Sequence, residues 1–184
     1  MKKALMGLSI VALLSPSIAM AEGAYVGASY GHTELNLSGS DKRALSNAGI
    51  SFDETDKGYK VFAGYRVNDY FAAEFFYTDL GQAVFKDGVD TLKLEADTVG
   101  VAALGMVPIN EYVDLYAKVG FHNWDADLNL AGTGISLSDD GTDPVYGAGI
   151  NYTVNHISVR FEFERYELDD EDVDLISGGV AYNF

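Results

Sequence analysis

One stretch of the chain decides the fold: Val113-Asp114-Leu115-Tyr116-Ala117-Lys118-Val119-Gly120-Phe121-His122. Its apolar side chains recur at every second residue, which is the period of a β-strand whose successive side chains point to opposite faces. The other face carries Lys118 in mid-strand, and Lys60, Glu74 and Arg160 lie in the same way opposite the apolar faces of other predicted strands. A dry protein core rejects such charges unless they are paired. The pattern therefore predicts a strand whose apolar face points outward and whose polar face lines an interior.

The same alternation recurs along the chain and predicts eight strands, at about 24–36, 58–66, 71–83, 94–107, 113–125, 145–153, 157–164 and 175–184. Short turns at 67–70, 108–111 and 154–156 follow every second strand, and longer polar loops follow the others, at about 37–57, 84–93, 126–144 and 169–174. Strands of about 9–11 residues cross a bilayer at a tilt, and bacterial outer-membrane barrels alternate short turns with long loops. We therefore predict an all-β fold, an eight-stranded antiparallel up-and-down transmembrane β-barrel. A soluble sandwich or a lipocalin-like barrel is the alternative.

Residues 1–21 have the layout of a cleaved signal peptide. Lys2 and Lys3 precede an apolar stretch at 4–14, and Ala19-Met20-Ala21 is the small-x-small pattern that signal peptidase accepts. The apolar stretch is well short of the ~20 residues of a spanning helix, which disfavours an N-terminal membrane anchor. We assign residues 1–21 to a signal peptide and residues 22–184 to one barrel domain in the cell outer membrane. The even number of strands predicts that both termini lie in the periplasm.

Charge and cysteine content exclude several functions. The chain has 12 Lys and Arg against 28 Asp and Glu, a net charge of −16. This argues against a nucleic-acid partner, because that binding rests on basic residues that neutralise phosphates. The chain has no cysteine, which excludes disulfides, thiolate metal sites and cysteine nucleophiles. It also lacks the glycine-rich motifs that hold phosphates and dinucleotides, so no cofactor is expected.

The C-terminal stretch resembles the insertion signal of outer-membrane barrels. Its sequence is Ser177-Gly178-Gly179-Val180-Ala181-Tyr182-Asn183-Phe184, a polar residue and a glycine followed by alternating hydrophobic residues that end on an aromatic one. The resemblance implies that Gly179, Tyr182 and Phe184 form an assembly signal for the barrel assembly machinery; an ordinary last strand is the alternative. Other aromatic residues near strand ends resemble an interfacial girdle, namely Tyr65, Tyr70, Phe71, Tyr112 and Tyr152. We interpret the single tryptophan, Trp124, as one more interface anchor.

Nearly all of residues 24–184 resembles the transmembrane domain of the OmpA family. The resemblance rests on the order and spacing of five stretches: Tyr25-Val26-Gly27-Ala28, Gly64-Tyr65-Arg66-Val67-Asn68, Tyr77-Thr78-Asp79-Leu80-Gly81, Pro108-Ile109 with Val113-Asp114-Leu115-Tyr116, and Ala148-Gly149-Ile150-Asn151-Tyr152. It implies a barrel whose narrow lumen is filled by side chains. Longer family members add a periplasmic peptidoglycan-binding domain. Here Phe184 ends the barrel, so that anchoring to the cell wall is not expected.

The resemblance also implies a charged lumen, where an internal salt bridge has been proposed to act as a gate. By position, Glu74 and Arg160 keep the acid and the base, and Lys118 keeps a basic position. Leu104 stands where the family has a base, and Asn151 where it has an acid. We expect Glu74 and Arg160 to pair directly, with Lys118 nearby. The functional interpretation is a gated plug; the structural alternative is simple pairing of charges inside a narrow barrel.

Two other groups of residues suggest further hypotheses. The acidic runs of the last two long loops, Asp139, Asp140 and Asp143 followed by Asp169-Asp170-Glu171-Asp172 and Asp174, offer oxygen ligands to Ca²⁺. They lack the spacing of a calcium loop, so we expect solvated loops and no metal site. His156-Ile157-Ser158 resembles the His-x-Ser of outer-membrane lipid A deacylases. That chemistry works at the outer leaflet, whereas His156 falls in a predicted periplasmic turn, so no catalytic residues are assigned.

The sequence therefore predicts an integral outer-membrane protein that contributes to envelope integrity and forms at most a narrow, gated pore. A surface adhesin or host-factor binder, acting through loops 37–57 and 126–144, is the alternative, and a lipid-modifying enzyme is the third candidate. The expected partners are outer-membrane lipids and lipopolysaccharide, the barrel assembly machinery, and periplasmic chaperones in transit. We expect a monomer.

Overall fold

The computed structural model describes residues 23–36, 51–53, 55–87, 90–130, 136–169 and 171–184. The predicted signal peptide at 1–21 and most of the first predicted loop, 37–50, lie outside the described residues. Within the described part of the chain, no helix is long and apolar enough to cross a membrane.

All the described regular structure is β. The strands are β1 Ala24–Asn36, β2 Ser51–Asp53, β3 Thr55–Asn68, β4 Phe71–Asp87, β5 Asp90–Pro108, β6 Val113–Leu130, β7 Ser136–Val154, β8 Ile157–Leu168 and β9 Glu171–Asn183. Every pairing is antiparallel, and the sheet closes because β1 pairs with both β3 and β9 while β4 pairs with β5. The three-residue strand β2 pairs with β4 at 84–86, beyond the part of β4 that pairs with β3. Because β2 and β3 occupy one position in the ring of strands, the closed sheet has eight strands. The predicted eight-stranded antiparallel barrel is confirmed.

Three tight turns lie together at one end of the barrel, which we call the turn end. They join β3 to β4, β5 to β6 and β7 to β8, as predicted. In the first turn, the Asn68 side chain accepts hydrogen bonds from the backbone N–H groups of Tyr70, at 2.8 Å, and Phe71, at 2.9 Å. Asn155 holds the third turn with a φ of 55°, a left-handed conformation that asparagine tolerates better than most residues. Turn-forming asparagines therefore fix this end of the barrel.

At the opposite end, which we call the loop end, the loops after β4, β6 and β8 are shorter than predicted. The strands β4 and β5 extend to Asp87 and from Asp90, β6 and β7 extend to Leu130 and from Ser136, and β9 begins at Glu171. Much of the predicted loops at 84–93, 126–144 and 169–174 is therefore paired strand. Backbone hydrogen bonds between antiparallel strands need no apolar side chains, so the pairing also continues through stretches such as 136–144, whose residues have no period of two.

The two faces of the barrel have the polarity that the sequence predicts. Large apolar side chains stand exposed on the outer surface, and Phe121 and Phe161 are 63% and 62% exposed. Exposed aromatic residues ring the turn end at Tyr65, Tyr70, Phe71, Tyr112, Tyr152, Tyr182 and Phe184, and Tyr30, Tyr59 and Tyr146 lie closer to the loop end. An apolar belt between aromatic rings is the surface of a transmembrane barrel. The charged and polar side chains of the same strands point into the lumen.

Candidate functional site in the barrel lumen

Six charged side chains meet in the middle of the lumen, and we call them the ionic cluster. Strand β3 contributes Lys60, β4 Glu74, β6 Lys118, and β8 contributes Arg160, Glu162 and Glu164. Each is at most 3% exposed. The strand period explains the three contributions of β8, because residues two apart point to the same side of a strand. Three cations and three carboxylates balance one another within the cluster.

Every carboxylate of the cluster contacts at least two cations. Arg160 Nη1 lies 2.7 Å from Glu74 Oε2 and 3.5 Å from Glu162 Oε2. Lys118 Nζ contacts all three acids: it pairs with Glu164, and it lies 3.5 Å from Glu162 Oε1 and 3.7 Å from Glu74 Oε1. Lys60 Nζ pairs with Glu162 and lies 2.6 Å from Glu164 Oε2. The cluster is therefore one connected network in which the loss of any member affects several others.

A tyrosine hydroxyl also donates a hydrogen bond to each carboxylate. Tyr25 donates to Glu74 over 3.1 Å, Tyr116 donates to Glu162, and Tyr166 donates to Glu164 over 3.0 Å. Buried carboxylates keep their charge only where cations and donors surround them. The three tyrosines supply such donors, and their rings fill the lumen around the cluster.

Aromatic faces cover the cations. The Arg160 guanidinium carbon lies 4.3 Å from the ring centre of Phe62, and Lys60 Nζ lies 5.4 Å from the same ring. Lys118 Nζ lies 5.0 Å from the ring centre of Phe76. Ring faces attract cations electrostatically, so these phenylalanines stabilise the charges while they exclude water.

The structure brings the predicted luminal residues together. Glu74 and Arg160 are in direct contact, and Lys118 is adjacent to Glu74. Asn151, at a position where the resemblance implies an acid, accepts a hydrogen bond from Arg160 Nε at 3.1 Å. Sequence reasoning did not assign Lys60, Glu162 and Glu164 to the site. The period of two could have identified them, because Lys60 lies on the same face of its strand as Arg66, and Glu162 and Glu164 lie on the same face of theirs as Arg160.

Toward the loop end the lumen becomes mainly apolar, apart from the buried Thr78, Thr98 and His122, and we call this layer the apolar cap. Its fully buried members include Phe76, Val145, Tyr166 and Leu175. The rings of Phe76 and Tyr166 meet edge to face with centres 6.1 Å apart, and His122 packs on Tyr166 at 5.2 Å. The interior thus changes from charged to apolar along the barrel axis.

Trp124 points into the lumen at the level of the apolar cap, so its interpretation as an interface anchor is wrong. Its side chain is only 4% exposed, and Nε1 donates a hydrogen bond to Asp143 Oδ2 at 2.6 Å. The reason is parity: Trp124 lies an even number of residues from Lys118 and His122, which also point inward. This hydrogen bond engages Oδ2 of Asp143, one of the acids considered above as a Ca²⁺ ligand.

At the turn end the lumen contains a polar recess. Arg66 and Arg160, together with Asn151, Thr153, Ser158 and Asn183, line much of it. Its cavity has a volume of about 20 Å³ and is partly open to solvent. Arg66 Nη2 lies 2.6 Å from Asp114 Oδ2. The lumen therefore has three layers: a polar recess, the ionic cluster and the apolar cap.

The remaining residues singled out in the sequence lie near the turn end. His156 Nδ1 bonds to the backbone oxygen of Asn183 at 2.8 Å, whereas Ser158 Oγ bonds to Thr153 Oγ1 at 2.8 Å. These bonds engage the two side chains of the His-x-Ser motif with other residues. Tyr182 and Phe184 face outward with ring centres 5.0 Å apart, and the Phe184 N–H donates to Ala24 O at 2.9 Å. Gly179 pairs with Ser29 at the β1–β9 seam.

A family model described as "Outer membrane protein beta-barrel domain" matches residues 4–184. The chain belongs to this family. Outer membrane protein A of Klebsiella pneumoniae is 30% identical over 173 residues, which cover 87% of this chain and 50% of that protein. The chain thus spans about half the length of the curated relatives it matches. Family membership supports an outer-membrane location.

Solved structures share the fold at low sequence identity. The structure of Ail, the attachment invasion locus protein of Yersinia pestis, superposes with a TM-score of 0.61 at 22% identity, and covers 89% of this chain and 100% of that one. The N-terminal β-barrel domain of Pseudomonas aeruginosa OprF superposes with a TM-score of 0.57 at 14% identity, and covers 89% of this chain and 98% of that one. These likenesses extend over the whole barrel.

Proposed function

We propose that this barrel contributes to the integrity of the outer membrane and that its lumen is a plug that opens only to small ions. The orientation we propose places the turn end in the periplasm and the loop end at the cell surface, because short turns are periplasmic in bacterial outer-membrane barrels. The observation that carries the proposal is the filled lumen. The ionic cluster and the apolar cap succeed each other along the axis; the charged side chains of the cluster are at most 3% exposed, and Phe76, Val145, Tyr166 and Leu175 of the cap are fully buried.

The gate in this proposal is the rearrangement of the ionic cluster. Each cation has a second carboxylate within reach: Arg160 lies 2.7 Å from Glu74 but only 3.5 Å from Glu162. A switch of partner keeps every charge paired and avoids the large penalty of an isolated buried ion. Lys118 contacts all three acids and is positioned to follow such a switch. The side chains that define the apolar cap carry no charge and cannot exchange ion-pair partners, so they have to move aside before an ion can pass.

Conductance in planar bilayers tests the gate. We expect the wild-type protein to be closed most of the time and Glu74→Ala to open more often, because Arg160 loses its nearest carboxylate. Glu167→Gln is the matched control, since it removes an acid from the loop-end part of the same strand as Arg160 without touching the cluster. Identical, silent traces for the wild type and Glu74→Ala would contradict the gate and leave a purely structural plug.

A surface-binding role is the second candidate, because the β6–β7 hairpin is longer than a bilayer crossing requires. The strands β6 and β7 contain 18 and 19 residues, against about 9–11 for a tilted transmembrane strand. Ail has been solved in complex with the heparin analogue sucrose octasulfate, a polyanion. A chain with a net charge of −16 is poorly suited to polyanions, so the partner proposed here is cationic or bridged by divalent cations. Shortening the hairpin without loss of cell adhesion would contradict this role.

We further propose that the last strand is the assembly signal and that lipopolysaccharide and phospholipids surround the apolar belt. Tyr182 and Phe184 are exposed on the outer surface at the turn end, where machinery in the periplasm can reach them before insertion. Phe184→Ala is expected to lower the yield of folded protein in cells, while refolding in detergent stays unchanged. An unchanged yield in cells would argue that Phe184 is an ordinary strand residue.

A further inference from the structure

The recess at the turn end differs chemically from the cluster above it. The residues that line it include two guanidiniums, two hydroxyls and two amides, from Arg66, Arg160, Thr153, Ser158, Asn151 and Asn183. A carboxylate does not occur among the lining residues. The acids that pair with the two arginines lie behind them, outside the lining. The polar groups share the wall with Tyr25, Leu104, Met106 and Ala181, so the charged side chains that line the recess are both cationic.

Both arginines keep donor capacity toward the recess. A guanidinium has five N–H donors. Arg66 uses Nη2 for Asp114, at 2.6 Å, and for the sulfur of Met106, at 3.4 Å. Arg160 uses Nη1 for Glu74 and Nε for Asn151. Arg160 Nη1 also lies 3.5 Å from Glu162 Oε2, and Arg160 hydrogen-bonds to the Tyr25 hydroxyl. The donors that these contacts leave over on the two guanidiniums, and the amide N–H₂ of Asn151, can serve a ligand that accepts hydrogen bonds.

We propose that this recess is a binding site for a small monovalent anion of the size of chloride. Arg66 and Arg160 supply charge-assisted donors, which bind anions more strongly than neutral donors do. Each guanidinium already contacts carboxylates, Arg66 that of Asp114 and Arg160 those of Glu74 and Glu162, so a single negative charge suits the site better than a doubly charged oxyanion. The partly open recess gives the anion access from the turn end without passage through the ionic cluster. Binding of the anion in the recess therefore does not depend on whether the lumen conducts ions.

Line broadening of ³⁵Cl in nuclear magnetic resonance tests the site on the protein refolded in detergent micelles. A chloride ion that exchanges with a protein site broadens the bulk signal, and protein-free micelles give the background. Arg66→Gln removes one guanidinium. Asn151→Asp keeps the oxygen that accepts from Arg160 but puts a negative charge into the lining. Arg165→Gln is the matched control, because Arg165 forms a comparable half-buried pair with Asp174, at 2.6 Å, on the outer face near the loop end.

The expected result is broadening above background for the wild type and for Arg165→Gln. Loss of a charge-assisted hydrogen bond in Arg66→Gln weakens the affinity by about tenfold, and the added carboxylate of Asn151→Asp repels the anion, so both variants should return the line width to near background. A gel shift between unboiled and boiled samples verifies that each variant is folded. Wild-type broadening at background, or broadening that both recess variants retain, would overturn the proposal. Broadening of the ²³Na signal in place of ³⁵Cl would also overturn it, because it would identify a cation site.

Discussion

The two inner layers of the lumen solve the same packing problem with opposite chemistry. The ionic cluster fills the middle of the barrel with six charges, and the apolar cap fills the loop-end part with Phe76, Val145, Tyr166 and Leu175. Strand β8 passes through both layers: Glu164 belongs to the cluster, and Tyr166, two residues later on the same face, belongs to the cap. A luminal position therefore does not dictate polarity. It dictates that the side chain is buried and that any charge is paired.

The difference determines how each layer responds to change. Removing one partner of a buried ion pair leaves another charge uncompensated, whereas replacing a whole network by apolar residues is often neutral. An apolar layer loses contacts and gains a cavity, a penalty that depends on volume. The cluster is therefore sensitive to the identity of each atom, and the cap to the space that is filled. The following substitutions separate these two kinds of sensitivity, beginning with the largest expected effect.

Glu164→Gln is expected to lower the free energy of unfolding by about 3–5 kcal/mol, because it leaves Lys60 and Lys118 short of a buried carboxylate. The glutamine has nearly the same size, so the loss reports charge and not volume. Urea unfolding in lipid vesicles measures it, followed by the fluorescence of Trp124 and by gel mobility. The same substitution type at the surface, Asp174→Asn, removes one of the two acidic partners of half-exposed Arg165, the other being Asp172, and should change stability by about 0–1 kcal/mol. Equal losses at both sites would show that burial does not set the strength of these pairs.

The sequence predicts the cores of the strands well because a buried face and a lipid-facing face impose a strict period of two. The alternation of apolar and polar residues in 113–125 can be recognised from that stretch alone, without knowledge of the strands beside it. The strand end at 136–144 escapes prediction, because polar residues at both odd and even positions leave no period of two. The sequence at 126–130 does alternate, with apolar residues at Ala126, Leu128 and Leu130, so the period alone could have extended the strand there. Trp124 escapes for a different reason: its size and position near a strand end suggest the interface, although its parity places it inside.

The ionic cluster is only partly accessible to sequence reasoning. Parity places Lys60, Glu162 and Glu164 inside the barrel, but the distances between strands that face each other across the lumen depend on the tilt and stagger of the closed sheet. The resemblance supplied Glu74, Arg160 and Lys118 as a set. The carboxylates that stand in for the acid missing at Asn151 come from the neighbouring strand β8, and only the closed barrel shows that they reach Lys118.

Leu175→Ala probes the apolar cap and is expected to lower the free energy of unfolding by about 3 kcal/mol, the transfer term plus a cavity. Its neighbour Ile176 points the other way and is 66% exposed on the lipid-facing surface, whereas Leu175 is fully buried. Ile176→Ala creates no cavity, so about 1–2 kcal/mol is expected from the transfer term alone. The same urea titrations in vesicles provide both values. A larger loss for Ile176→Ala would indicate that the belt, and not the cap, dominates packing at this level.

The smallest expected effect comes from the wall of the lumen, where glycines make room for the cluster. A methyl group added at Gly149 would lie 2.6 Å from the backbone oxygen of Phe161 and closer still to the ring of Tyr116. Gly149→Ala therefore has to displace the tyrosine that donates to Glu162, and a loss of about 1–3 kcal/mol is expected from this overpacking.

Gly105→Ala is the matched control, because it lies on the outer face and has no heavy atom within 4 Å of the added methyl group. At such a position alanine reduces the freedom of the unfolded chain, so a small gain of about 0.4–1 kcal/mol is expected in the same assay. The two substitutions thus have opposite signs although each adds one methyl group to a strand glycine. A gain at Gly149 as well would mean that Tyr116 moves freely, and then the hydrogen bond to Glu162 would not hold the ring in place.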